Sequence, residues 1–146
     1  MLKIYVIDGE CSSKEAALKS SYEKLEEEGC VTEFFLKGCL EREREFPTGL
    51  PTEIPVAIPH TLGKYVKRDA ICLVRFRRPV SFFSMEDPDM IIMAEYMFNM
   101  ALRGEKDQLK TLQKIMKIVS DKKILKKWKN ESTVQIKEEF ERLLSE

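Results

Sequence analysis

Met90-Ile91-Ile92-Met93-Ala94-Glu95-Tyr96-Met97-Phe98-Asn99-Met100-Ala101 is nearly continuous in apolar residues, interrupted by Glu95 and Asn99. A strand with one wet face alternates apolar and polar residues, whereas one covered on both faces does not, so this run reads as a central strand between two layers. Met93, Met97 and Met100 also fit helical spacing, which leaves that alternative open. Extended to Leu102, the run still falls short of a membrane span.

Working outward, Ala70 to Phe76 is a second segment rich in strand formers, separated from the first by a turn-rich stretch through Pro79, Asp87 and Pro88. At the start of the chain Leu2, Ile4 and Val6 alternate with Lys3, Tyr5 and Ile7, a short strand closed by Asp8-Gly9. Ser12 with Glu15 fits a capping box, Leu18, Tyr22 and Leu25 form a helical stripe, and Gly29 closes that helix. Thr32 caps a second helix with Phe35, Leu36, Cys39 and Leu40 inward, ending in Glu41-Arg42-Glu43-Arg44-Glu45. The last third reads as three helices. Leu109, Leu112, Met116 and Val119 form one stripe, Asp121 caps a short basic helix with Ile124, Leu125 and Trp128, and Ser132 with Gln135 opens a third with Ile136, Phe140 and Leu143 inward. Strands flanked by amphipathic helices predict an α/β fold: a three-layer α/β/α sandwich with a central mixed sheet, one domain spanning residues 1–146.

With 43% hydrophobic and 34% charged residues the chain has a globular composition. Lys plus Arg and Asp plus Glu both total 25, so the net charge points to neither nucleic acid nor an acidic partner. Cys11, Cys30, Cys39 and Cys72 form no Cys-x-x-Cys pair and have one histidine for company, which argues against a zinc site and suits reduced thiols. The first residues are too quickly charged for a signal peptide. A cytoplasmic location without membrane insertion is expected. Lys122, Lys123, Lys126 and Lys127 beside Trp128 read as the solvated face of a helix, and Arg75, Arg77 and Arg78 as exposed strand residues or a docking patch.

That one histidine, His60, ends the run Pro55-Val56-Ala57-Ile58-Pro59-His60-Thr61. Imidazole has an unperturbed pKa of about 6.5, so one nitrogen can act as a nucleophile while the other stays hydrogen-bonded. Val56-Ala57-Ile58 carries it to a strand end, and the preceding loop, braced by Pro47, Pro51 and Pro55, adds Thr48, Gly49, Thr52 and Glu53.

Glu41-Arg42-Glu43, Phe46-Pro47-Thr48-Gly49-Leu50-Pro51-Thr52-Glu53 and Val56-Ala57-Ile58-Pro59-His60-Thr61 together resemble the enzyme IIA component of the sugar phosphotransferase system (PTS), in the mannitol/fructose superfamily. The Pro-Thr-Gly-Leu turn resembles its galactitol-type branch most, as do Arg78-Pro79-Val80, Met85-Glu86-Asp87-Pro88-Asp89 and Gln108-Leu109 with Leu112-Gln113. The resemblance implies a phosphoryl carrier that accepts phosphate from the phosphocarrier HPr on His60 and passes it to a cognate enzyme IIB, with the membrane component IIC involved indirectly. No cofactor is implied beyond phosphate held covalently on histidine. Arg42 matches the family arginine ahead of the turn and is the candidate for the phosphoryl oxygens, with Arg44 the competing choice and exposed pairing with the neighbouring glutamates the plain alternative. Thr48 and Thr61 are candidates to donate hydroxyls. Thr52 equally suits holding the loop, and Glu53 either orients the imidazole or faces solvent. Many relatives carry a second histidine before the helix that here begins near Gln108; this chain has Lys106-Asp107-Gln108. Lys106 or Gln108 therefore replaces it, or the site is weaker, or the chain is a phosphorylation-sensing regulator with the same fold.

Overall fold

The computed structural model describes residues 2–146. Its elements are β1 (Lys3–Gly9), α1 (Lys14–Glu27), α2 (Phe35–Glu45), β2 (Gly49–Leu50), β3 (Val56–Ala57), a 3₁₀ turn (Gly63–Tyr65), β4 (Ala70–Phe83), β5 (Ile91–Ala101), α3 (Glu105–Val119), α4 (Lys122–Trp128) and α5 (Thr133–Ser145). The sheet runs β1-β4-β5-β3-β2. Its β1/β4 and β3/β5 pairs are parallel and its β4/β5 and β2/β3 pairs antiparallel, so it is mixed as expected.

The apolar run forms β5, third of five strands, and its side chains divide between two cores. Tyr96, Phe98 and Met100 join Ile115, Leu125, Trp128, Ile136 and Phe140 from α3, α4 and α5. Ala94, Met97 and Ala101 face Ala17, Leu18, Leu25, Phe35 and Cys39 from α1 and α2. Covering on both faces removes the helical alternative.

Several boundaries differ from the sequence reading. The N-cap of α1 is Ser13, whose hydroxyl accepts from the Ala16 N–H at 3.1 Å, so Ser12 and Glu15 form no capping box. Gly29 closes the helix as expected, in the left-handed region at φ 73°, with the Cys30 N–H reaching back to the Leu25 carbonyl. Thr32 shapes the turn before α2, accepting from the Phe34 N–H at 3.3 Å, and Phe34 itself occupies the cap position without a side-chain bond. Pro79 does not end a strand. β4 runs through it to Phe83 because the register with β5 shifts between Arg75 and Val80, where a missing N–H breaks no ladder bond. Leu109 is 58% exposed and leaves the α3 stripe, which Ile115, Ile118 and Val119 bury instead. In α5 the fully buried positions are Ile136, Phe140 and Leu144, with Leu143 half-buried. The capping box of Ser132 and Gln135 and the Asp121 cap are present. All four cysteines are free.

Candidate functional site

β3 is short because its neighbours hold the chain only briefly: Val56 and Ala57 pair with Tyr96 and Met97, and Ile58 donates its N–H to the Thr48 carbonyl at 3.2 Å. Pro59 has no N–H, yet its carbonyl accepts from Met100 at 2.9 Å, and His60 bridges to Met100. The histidine thus leaves the sheet at a fixed height beside the end of the central strand. Its Nδ1 lies 3.2 Å from the Ile58 carbonyl. A carbonyl can only accept, so Nδ1 carries the hydrogen and Nε2 keeps its lone pair. Burial lowers the imidazole pKa below its ordinary value, the Ile58 bond opposes that, and the positive charge of Arg42 lowers it further. At neutral pH the ring is uncharged, with the Nε2 lone pair free.

Arg42, half-buried near the end of α2, stacks its guanidinium 4.4 Å from the Phe46 ring centroid. Its Nε is buried without a hydrogen-bond partner. A desolvated, unpaired donor on a positively charged fork is costly unless an anion completes it. Arg44 is exposed and lies with Lys14, Glu15, Leu18, Leu40 and Glu43 around a different depression.

The remaining expected site residues separate. Thr48 is buried, and its N–H and hydroxyl donate to Glu43 Oε2 and Oε1, both at 2.8 Å. Its hydroxyl hydrogen is therefore already engaged, which corrects the expected donation to a phosphoryl group. Thr61 is buried against α2, where a Cβ on Gly38 would meet its Oγ1 at 2.8 Å. Thr52 donates to the Ile54 carbonyl at 2.8 Å and holds its own loop. Glu53 is solvent-facing and pairs with Lys122 at 3.1 Å, so it does not orient the imidazole. Lys106 is exposed in the first turn of α3. Gln108 points back, with Nε2 donating to the Thr61 carbonyl at 3.1 Å and the Leu102 carbonyl at 3.0 Å. One amide hydrogen holds the residue after His60 and the other the residue after β5, so they are not free for an anion.

Glu43 is the residue the sequence reading passed over. Only 4% exposed, it is held by the two bonds from Thr48; burial pushes its carboxyl pKa up while those bonds oppose the shift. The signal was periodicity. Phe35, Cys39 and Glu43 recur every four residues, which puts Glu43 on the buried face of α2 although it sits in a charged run. Among the described residues, no group of three or more His, Cys, Asp or Glu is arranged to hold a metal.

An imidazole with one free nitrogen, within electrostatic reach of an arginine whose Nε has no hydrogen-bond partner, is an arrangement able to take and release an anionic group. Comparison with known proteins gives that arrangement a family: the model of the phosphoenolpyruvate-dependent sugar phosphotransferase system EIIA 2 family matches residues 3–146. The chain belongs to this family. It is thus a phosphotransferase component of the enzyme IIA type. The mannitol-specific phosphotransferase enzyme IIA component of Enterococcus faecalis is 33% identical over 113 residues, 75% of this chain and 74% of the relative. The crystal structure of the Escherichia coli mannitol IIA superposes with a TM-score of 0.74 at 21% identity, over 97% of this chain and 95% of that one. The E. coli mannitol IIA in complex with phosphorylated mannitol enzyme IIB gives 0.74 and 21% over 99% of both chains. At that identity the likeness shows the fold, an α/β sandwich shared with enzyme IIA structures. These mannitol-type relatives do not support the expected galactitol-type branch.

Proposed function

We propose that this enzyme IIA chain carries a phosphoryl group on His60 Nε2 between phospho-HPr and a cognate enzyme IIB, in the cytoplasm, for uptake of a hexitol. The mannitol-specific relative favours mannitol, while the Pro47–Leu50 turn is the residue-level reason to test galactitol beside it. The observation that carries the reading is the pairing of a neutral imidazole, fixed through Nδ1 to the Ile58 carbonyl, with the unpartnered Nε of Arg42.

In the transfer the Nε2 lone pair attacks phosphorus, the bond from phosphorus to the donor's imidazole breaks, and its electron pair returns to the donor ring. Phosphoryl transfer passes through a loose, anionic transition state, so fixed positive charge and alignment supply most of the catalysis. Arg42 supplies the charge. As Nε2 bonds to phosphorus the ring becomes more electron-poor, and the bond from Nδ1–H to Ile58 strengthens as a charge-assisted one. Discharge to enzyme IIB reverses these changes. Leu62, Leu109 and Phe46, all more than half exposed, rim this end of the molecule and suit transient docking of protein donors and acceptors.

Incubation with enzyme I, HPr and phosphoenolpyruvate is expected to add one acid-labile, base-stable phosphate per chain, abolished by His60→Ala and placed on Nε2 by ¹⁵N–³¹P NMR. Absence of labelling, or labelling on Nδ1, overturns the assignment. A second reading, a sensor that is phosphorylated but does not discharge, is motivated by the engagement of Gln108 and the lack of a second imidazole. Discharge to a purified cognate enzyme IIB decides against it.

A further inference from the structure

The far end of the sheet carries a surface that the phosphoryl relay does not use. β4 and β5 continue as a hairpin beyond the last residue paired with β1, Phe76 opposite Gly9. Along it Ile92 and Ala94 are buried, while Ile91 and Met93, which alternate with them, are 58% and 49% exposed. Phe83, the cross-strand partner of Ile91, and Met90 at the turn are also exposed. Clustered large apolar side chains on a surface mark an interaction site. The outer edge of β4 here carries Arg77, Arg78 and Pro79, features that block strand addition, so the contact uses the face of the hairpin.

The two ends of this stripe carry opposite charge. At the tip, Glu86, Asp87 and Asp89 are exposed, and no ion pair engages them among the described residues. At the base, the stripe reaches Glu95 and a cleft of about 510 Å³ whose lining includes Arg75, Arg77 and Lys129, three bases against the two acids Asp8 and Glu95. Asp8 and Arg75 neutralise one another, as do Glu95 and Lys129, which leaves Arg77 as the uncompensated base of the lining. Arg77 is held only by Glu10 at 3.9 Å, and Arg78 adds a further exposed charge. A surface that is acidic at one end, apolar in the middle and basic at the other is complementary to itself under a two-fold rotation.

We infer that this hairpin face is the interface of an isologous dimer, in which the acidic tip of each copy seats at the basic cleft of the other and the Ile91–Met93 stripes pack across the axis. His60 bridges to Met100, nine residues farther along β5 from Ile91, at most about 30 Å at ~3.3 Å per residue, so the stripe and the imidazole lie at different ends of the strand.

Sedimentation velocity of the full chain from about 1 to about 300 µM is expected to show a monomer–dimer equilibrium with a micromolar constant. Ile91→Glu with Met93→Glu is expected to leave monomer throughout, with circular dichroism verifying the fold. A tip variant, Asp87→Arg with Asp89→Arg, and a cleft variant, Arg77→Asp with Arg78→Asp, should each be monomeric alone because like charges then meet twice. Mixed, they should form a one-to-one heterodimer, because both contacts are again complementary. A wild-type chain that stays monomeric at every concentration, or a dimer untouched by the Ile91/Met93 change, overturns the inference. So does a monomeric chain whose binding to anionic lipid vesicles or to enzyme IIB is lost with Met93→Glu, which gives the face another occupant.

Discussion

His60 is shaped by two neighbours, one acting on its tautomer and one on its charge. The Ile58 carbonyl sets which nitrogen is free, and Arg42 biases the ring toward the uncharged form. Because the folded pKa lies below the ordinary value of about 6.5, the unfolded chain takes up the proton first as pH falls. The contribution of His60 to stability is therefore intact above about pH 6.5 and lost as pH falls toward the folded pKa. Arg42→Gln removes one of the two lowering influences and leaves burial, the larger one. The imidazole midpoint, followed by the Hε1 resonance, is expected to move up while staying below the ordinary value, and the rate of phosphorylation by phospho-HPr is expected to fall about 100-fold, as when one fixed charge-stabilising donor is removed. An unchanged midpoint would show that Arg42 does not sense the ring.

At the scale of elements, α2 is joined through Glu43 to Thr48 at the entry to β2, and through the Thr48 carbonyl to the Ile58 N–H just after β3, two residues before His60. The carboxyl of Glu43 is raised by burial, so its ionisation opposes folding: that component of stability is present below the unfolded pKa of about 4.5 and declines as pH rises through the folded one. Thr48→Val removes the hydroxyl donor and keeps the backbone one, which leaves the carboxyl less satisfied, the more so as it ionises. The expected loss is about 1–3 kcal/mol at pH 7. It should be smaller near pH 4, where the carboxyl is protonated; urea denaturation at the two pH values checks this, and an equal loss at both would mean that packing alone is affected.

These elements also show how far the sequence could be read. Local patterns were informative: the nearly continuous apolar run of β5, the stripe of α1 and the capping box of α5 each fold as they predict. What escaped were features decided by long-range pairing. Pro79 lies within a strand because the register slips opposite it, a fact held in β5 and not in the residues around Pro79. Leu109 is polar-facing because α3 enters near the site, leaving its first turn beyond the core. At the site, His60 stood out by residue type, and Arg42 through the resemblance of its motif to the family. The engagement of Thr48 by Glu43, and of Gln108 by two backbone carbonyls, depends on loop geometry that no local pattern encodes.

In the whole molecule the sheet separates two cores, and the layers contribute differently to the site. Arg42 comes from α2 on one side, Gln108 from the start of α3 on the other, and His60 from the sheet between them. The centre of the α3–α5 side is an aromatic cluster. Phe140 lies 5.5 Å from Phe98 and 5.9 Å from Trp128, which in turn stands 6.1 Å from Tyr96, all in edge or near-edge contact. Trp128 is fully buried with Nε1 donating to Glu139 at 2.7 Å, and Tyr96 donates to the Leu125 carbonyl at 2.7 Å, so no polar edge in the cluster is left unmatched. Phe140 belongs to α5, which supplies none of the hydrogen bonds that hold His60 and Gln108. Phe140→Ala is therefore expected to reduce unfolding free energy by about 3–5 kcal/mol, the range for emptying an aromatic site in a core. Fluorescence of Trp128, the sole tryptophan, reports the transition in urea. At a temperature where the variant remains folded, the initial rate of His60 phosphorylation should stay within about twofold of wild type, since stability and site geometry reside in different contacts. A proportionate loss of rate in the folded variant would instead show that the aromatic core sets the position of β5 beneath His60.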